Sequence, residues 1–192
     1  MGGAWERQIR TVRKILSSIL KDQVTDDERL DTIFCQVEYI VNSRPLTPVS
    51  DDPNDLEALT PNHLLLNRSC NLAVPPGIYV KQDIYGRHWR HAQFVAEQFW
   101  KRWVKEYLSM IQLRPKWITE ITNLAEGDMV LVLDDMLPRM KWPLGRILSV
   151  KTSSDGLVRS AEVRTAQGIY VRPTNKLCLV LEHDYSRYCF YR

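Results

Sequence analysis

The sequence predicts an α+β fold, a helical N-terminal part followed by a small five-stranded barrel. Three observations predict it. Apolar residues recur at spacings of three and four as far as Leu113, the period changes to two from Gly127 onward, and Pro, Asp and Gly clusters punctuate the junctions. The chain has 192 residues, of which 44% are hydrophobic, enough for one ordinary domain or two small ones with a buried core.

In the first segment Trp5, Ile9, Val12, Leu16 and Leu20 form one apolar helical face, with Glu6, Arg10 and Arg13 on the face beside it. A second helix opens at Thr25 or Asp26, with Glu28 completing a capping box if Thr25 is the cap. Its stripe is Leu30, Ile33, Phe34, Val37, Ile40 and Val41, and it ends near Asn42 because Pro45 disfavours helix at Arg44. Residues 45–60 read as a Pro/Asp-rich loop closed by Thr60-Pro61, the cap-then-first-turn order that starts a short helix through Leu66. Residues 69–87 show no clear period and read as loop. A long helix fits 88–113: Ala92, Val95, Ala96, Phe99, Trp103 and Leu108 line one side, Arg90, Lys101, Arg102 and Lys105 the other, and Pro115 stops it. The segments "GDMVLVLDD", "WPLGRILSV", "VRSAEVRT", "IYVRP" and "LCLVL" then read as five short strands, the content of an SH3-like or OB-like barrel.

Charge is segregated along the chain, although the total is only +3. Residues 1–21 carry five Lys/Arg against one acid, residues 22–60 ten acids against two bases, and residues 61–116 nine bases against three acids; the remainder is close to balance. Two basic segments therefore flank an acidic connector, and local charge of that kind decides where a polyanion sits. No run of 18 apolar residues and no secretory leader pattern is present, so the chain reads as soluble and intracellular, with no membrane partner. Cys35, Cys70, Cys178 and Cys189 fit neither a CxxC pair nor a dense framework; they are expected to be reduced and mostly buried.

Metal-dependent phosphoryl transfer on nucleic acid needs paired divalent ions held by carboxylates from separate elements. Glu6 is the one acid among the cations of the first helix, Arg7, Arg10, Arg13, Lys14 and Lys21, and the nearest acids, Asp22 to Asp31, are explained as cap and first-turn residues of the second helix. Taken by composition, Glu6 is an exposed pair with Arg10 at i, i+4. His88 and His91 have a metal-like spacing but no paired cysteines, and are expected to cap or flank the long helix. Of the tryptophans, Trp5 and Trp103 sit on apolar stripes and read as core, while Trp89 and Trp142 stay open to either core or base stacking. A three-residue turn at 166–168 would pair Arg164 with Tyr170 and Glu162 with Arg172, turn Val163 and Val171 inward, and leave Arg164 and Arg172 on one outer face. That face is either an ordinary cross-strand pair or a DNA-backbone track continued by Arg146, Arg159 and Lys176.

The stretches "MGGAWERQIRTVRKIL", "VEYIVNSRPLTPVSDD", "LTPNHLLL", "WRHAQFVAEQFWKRWVKEYL" and "KWPLGRILSVKTSSDGLVRSAEVRT" together resemble the pol polyprotein of Bel/Pao long-terminal-repeat retrotransposons, from the end of the integrase core through the domain behind it. The resemblance implies that residues 1–68 are the end of a ribonuclease-H-like catalytic core, 69–87 a connector, 88–116 a long basic helix, 117–182 an SH3-like barrel and 183–192 a tail. It implies that Glu6, in the GG-x-W-E motif, matches the third carboxylate of a D,D,E triad that binds Mg²⁺ in the full-length parent, the two aspartates lying upstream. Met1 is then an internal methionine of a longer frame, and the fragment alone is expected to be inactive and to need no cofactor. Implied partners are DNA, the upstream core and a second copy of the chain, in the nucleus. The DNA contacts expected are Arg7, Arg10, Arg13, Lys14, Lys101, Arg102, Lys105, Arg146, Arg159, Arg164, Arg172 and Lys176. The alternative is a protein-interaction module, in which the long helix oligomerises and the barrel reads a protein partner.

Overall fold

A computed structural model describes residues 3–21, 23, 25–48, 57–67, 75, 77–111, 123–133 and 139–183. Helices and strands segregate as an α+β protein, and the chain divides into two units that interleave along the sequence. The first comprises residues 1–44, 61–109 and 138–140; the second takes 45–60, 110–137 and 141–192.

The first unit is helical: α1 (Gly3–Leu20), α2 (Asp27–Asn42), α3 (Pro61–Leu66) and α4 (His88–Ile111). Of the two possible caps of α2, Asp26 is the one used: its carboxylate accepts the Arg29 backbone N–H at 2.8 Å, satisfying a first-turn donor that has no partner within the helix. The helix ends at Asn42 as Pro45 requires. The core is built by α4, whose Ala92, Val95, Ala96, Phe99 and Trp103 are fully buried, and by Ile33, Val37 and Ile40 of α2. Phe99, Trp103 and Tyr107 recur every four residues and stack in sequence, with centroids 6.0 and 5.8 Å apart.

The apolar stripe of α1 behaves differently from its reading in the sequence. Ile15 and Leu16 are buried, but Trp5 is 59% and Ile9 46% exposed, and Phe34 of α2 is 51% exposed. Periodicity identifies an apolar face without saying what covers it, so Trp5 is not the core residue its spacing implied. Cys35 is likewise exposed where burial was expected, whereas Cys178 is buried; Cys70 and Cys189 lie outside the described residues.

Two helical segments are held by buried polar contacts. Residues 81–85 of the expected loop form a 3-10 turn ahead of α4, because Asp83 accepts the Val80 N–H at 2.8 Å and Arg90 Nε at 2.7 Å. The Arg90 hydrogen bond holds the Asp83 carboxyl below the usual carboxylate range. Arg139, 2% exposed, donates to the Gln93 side chain and lies 3.5 Å from Glu97. Burial lowers its pKa and Glu97 raises it in part, the expected balance for a charge that has lost water and kept a counterion.

In the second unit the ends of the predicted 45–60 loop pair as two short strands, β1 (Thr47–Pro48) and β2 (Ala58–Leu59); residues 49–56 lie outside the described set. Five further strands form one antiparallel sheet: β3 (Met129–Val132), β4 (Leu144–Thr152), β5 (Val158–Thr165), β6 (Gly168–Pro173) and β7 (Leu177–Leu181), in the order β6-β5-β4-β3-β7. The sheet is open, with β6 and β7 at its edges. Val130, Val132, Ile147, Ala161, Val163 and Leu177 form its core cluster. Asp128, 2% exposed, ties the start of β3 to the end of β7 by accepting the Ala125 and His183 N–H groups at 2.8 and 3.1 Å.

The register of the β5–β6 hairpin corrects the expected one. The turn has two residues, Ala166 and Gln167, so that Thr165 pairs with Gly168, Arg164 with Ile169, Glu162 with Val171 and Ala161 with Arg172. A shift of one residue exchanges the faces of a strand. Val171 is therefore 51% exposed rather than inward, and Arg164 and Arg172 lie on opposite faces.

Candidate nucleic-acid interface

Helical spacing places Lys14, Ile15 and Ser18 on one face of α1, and Arg102, Lys105, Glu106 and Ser109 on one face of α4. These seven residues line a cleft of about 380 Å³ in the first unit, a volume at the lower end of ligand-site sizes. Three cations and two hydroxyls line it against one carboxylate, and the Ser109 hydroxyl donates to the Lys105 carbonyl at 2.8 Å. Lys14 Nζ is paired with Glu106 Oε1 at 2.9 Å, and Arg102 donates to Ser18 Oγ at 2.6 Å. Lys105 has no ion-pair partner among the described residues, and its neighbour Lys101 pairs loosely with Glu97 at 3.9 Å outside the cleft. The cleft thus joins residues about 90 positions apart, from the two basic segments that the charge pattern singled out. Arg7, Arg10 and Arg13 extend the cationic surface along α1, all exposed.

Glu6 is exposed on the first turn of α1 and makes no ion pair with Arg10, so the simple i, i+4 pairing is absent. Among the described residues no three His, Cys, Asp or Glu side chains converge. A lone exposed carboxylate does not fit a two-metal centre, which needs several carboxylates around ions about 4 Å apart. His88 and His91 do not converge either. His88 lies 3.9 Å from Asp26 at the surface, while His91 is buried with Nε2 2.6 Å from Gln23 Oε1. Trp89 is half exposed and packs edge-on against Tyr79, and Trp103 is core.

On the sheet, Arg146 and Arg164 are directly opposite each other across β4 and β5, which like charges tolerate poorly without an anion or solvent between them. Arg159 is paired with Asp155 at 2.6 Å, and Arg172 lies over the Tyr170 ring at 5.3 Å on the other face. Lys176 sits in the 3-10 turn before β7, where its carbonyl accepts the Leu133 N–H. Of the expected track, Arg146 and Arg164 adjoin across β4 and β5, and Arg172 lies on the other face from Arg164. Sequence reasoning missed the two serines of the helical cleft and Glu106, whose signal was their place one turn from Lys14, Arg102 and Lys105.

No helix among the described residues is long and apolar enough to cross a membrane. No curated protein matches the chain. Residues 87–180, which span α4 and the sheet as far as Val180 in β7, match DUF5641, a family of unknown function.

Proposed function

We propose that this chain is a DNA-binding part of a retroelement integrase of the Bel/Pao type, and that it holds the duplex by its phosphates rather than by its bases. One observation carries the reading: Lys14, Arg102 and Lys105, drawn from two separate basic segments, share one cleft with Ser18 and Ser109. Cations of this kind, together with the Ser18 hydroxyl, serve phosphate oxygens rather than base edges. In this reading α1 and α2 end a ribonuclease-H-like core, and exposed Trp5, Ile9 and Phe34 are apolar contacts of a fuller assembly in the nucleus. An SH3-like reading of the sheet is supported by the β6-β5-β4-β3-β7 order and by the 3-10 turn between β6 and β7. Glu6 would stand as the third carboxylate of a Mg²⁺ site completed by upstream residues.

The test is a fluorescence-anisotropy titration with duplex DNA at several salt concentrations. Each lost phosphate contact lowers the log-log slope by about 0.9, so the Lys14→Ala, Arg102→Ala, Lys105→Ala triple variant should lower it by up to about three units, without changing sequence preference. An unaltered slope rejects the cleft as the DNA surface.

A further inference from the structure

The junction between the 3-10 turn and α4 exposes aromatic rings on a fixed frame. Tyr85 ends the turn with 93% of its surface open, and Trp89, in the first turn of α4, is 49% exposed. The backbone at both is pinned. The Asp83 carboxylate accepts Arg90 Nε at 2.7 Å and the Val80 N–H at 2.8 Å, which ties the turn ending at Tyr85 to the helical turn that carries Trp89. The Trp89 ring is steadied by Tyr79, edge-on with centroids 6.0 Å apart, and the Tyr79 hydroxyl donates to the Pro75 carbonyl at 3.1 Å.

Charge at this junction is not all used within the fold. Asp83 is paired with Arg90, Asp26 with Arg29, and Glu28 meets His88 at 4.0 Å. Lys81 and Arg87, by contrast, are exposed and have no ion-pair partner among the described residues. Arg87 stands between Tyr85 and Trp89 in the chain, and Lys81 opens the same turn. We propose that this junction binds single-stranded nucleic acid, an unpaired base stacking on each of Tyr85 and Trp89 while Arg87 and Lys81 take adjoining phosphates. Every base has a π-face, so such a site tolerates any sequence, and cations without counterions draw the backbone to it. A duplex keeps its bases stacked on one another and offers the rings nothing. An aliphatic protein segment would cover the rings and Ile78, 83% exposed, but would leave both cations unanswered. The junction shares no residue with the α1–α4 cleft, so the proposal is independent of the duplex reading.

The probe is a labelled oligo-dT strand of about twelve nucleotides, compared with an abasic strand of the same length that carries the same phosphates without bases. Anisotropy titrations on the full chain give the ratio of the two affinities, from which phosphate binding elsewhere on the protein cancels. Stacking contributes about fivefold or more per base, so wild type should prefer the dT strand by at least about 25-fold, and Tyr85→Ala and Trp89→Ala should each lower that preference by at least about fivefold. Tyr85→Phe keeps the ring and should retain it. Should Trp89→Ala unfold, Tyr85→Ala decides, because so exposed a side chain holds nothing in the fold. Changing Lys81 and Arg87 together to Ala should lower the log-log salt slope for the dT strand by up to about 1.4. The preference should survive in the Lys14→Ala, Arg102→Ala, Lys105→Ala variant, which separates failure of this site from failure of the cleft. Equal affinity of wild type for the two strands overturns the proposal in favour of a protein partner for the rings. So does a preference unchanged in folded Tyr85→Ala, one lost as fully in Tyr85→Phe, or a salt slope that the loss of Lys81 and Arg87 leaves unaltered.

Discussion

His91 shows how a single buried side chain ties stability to pH. It is 1% exposed on α4, its Nε2 meets Gln23 Oε1 at 2.6 Å, and its Nδ1 is buried without a hydrogen-bond partner among the described residues. With Nε2–H as donor, Nδ1 carries a lone pair; protonating it would create a buried N–H with nothing to accept it. Burial, assisted by Arg29 and His88 and opposed by Asp26, accordingly lowers the His91 pKa. The unfolded chain therefore takes up the proton first as pH falls, so this contribution is complete above the unfolded value near 6.5 and is lost below it, down to the lowered folded value. Denaturant midpoints measured between pH 7 and pH 5 should fall more steeply for wild type than for His91→Gln, by at most about 1.4 kcal/mol per pH unit. Parallel curves would show that His91 remains unprotonated in both states or is protonated equally in each.

Elements were more legible than the residues that join them. All five strands of the main sheet were readable from period-two alternation and turn chemistry, and so was α4, whose six stripe positions from Ala92 to Leu108 are all buried. Register was not, because Ala166-Gln167-Gly168 fits a two- or a three-residue turn, and that one residue decides which face Val171 and Arg172 occupy. The stripe of α1 likewise records an apolar face and not its cover, so by itself it did not decide between core and an exposed patch at Trp5 and Ile9. Two glycines separate space from backbone conformation. A Cβ at Gly145, on β4, would strike the Val163 side chain and lie 3.1 Å from the Arg164 carbonyl, whereas Gly156 has open space around it but a φ of +77° in the turn closed by its N–H to Ser153 O. Gly145→Ala should cost about 1–3 kcal/mol through overpacking, and Gly156→Ala about 1–2 kcal/mol through left-handed strain alone. Calorimetry distinguishes them further: pairing Gly145→Ala with Val163→Ala should recover part of the loss, and no such partner exists for Gly156. Additive losses at 145 and 163 would contradict the steric account.

At the scale of the whole molecule, charge placement matters more than the net +3. The strongly acidic stretch 22–60 separates two basic ones, yet folding brings Lys14 of the first together with Arg102 and Lys105 of the second. Segregation was legible in the sequence; convergence needed the helices. Binding by counterion release needs no metal ion, while strand cleavage by a paired-metal route needs carboxylates clustered around both ions, and Glu6 is exposed and alone on α1. Added Mg²⁺ should therefore weaken DNA binding as a competing counterion, and neither Mg²⁺ nor Mn²⁺ should bring strand transfer or nicking of labelled duplex. Glu6→Gln should bind at least as tightly as wild type, because it removes a negative charge from the cationic surface of α1. Metal-dependent cleavage by the wild type that disappears in Glu6→Gln would show instead that this chain completes a metal site with its own residues.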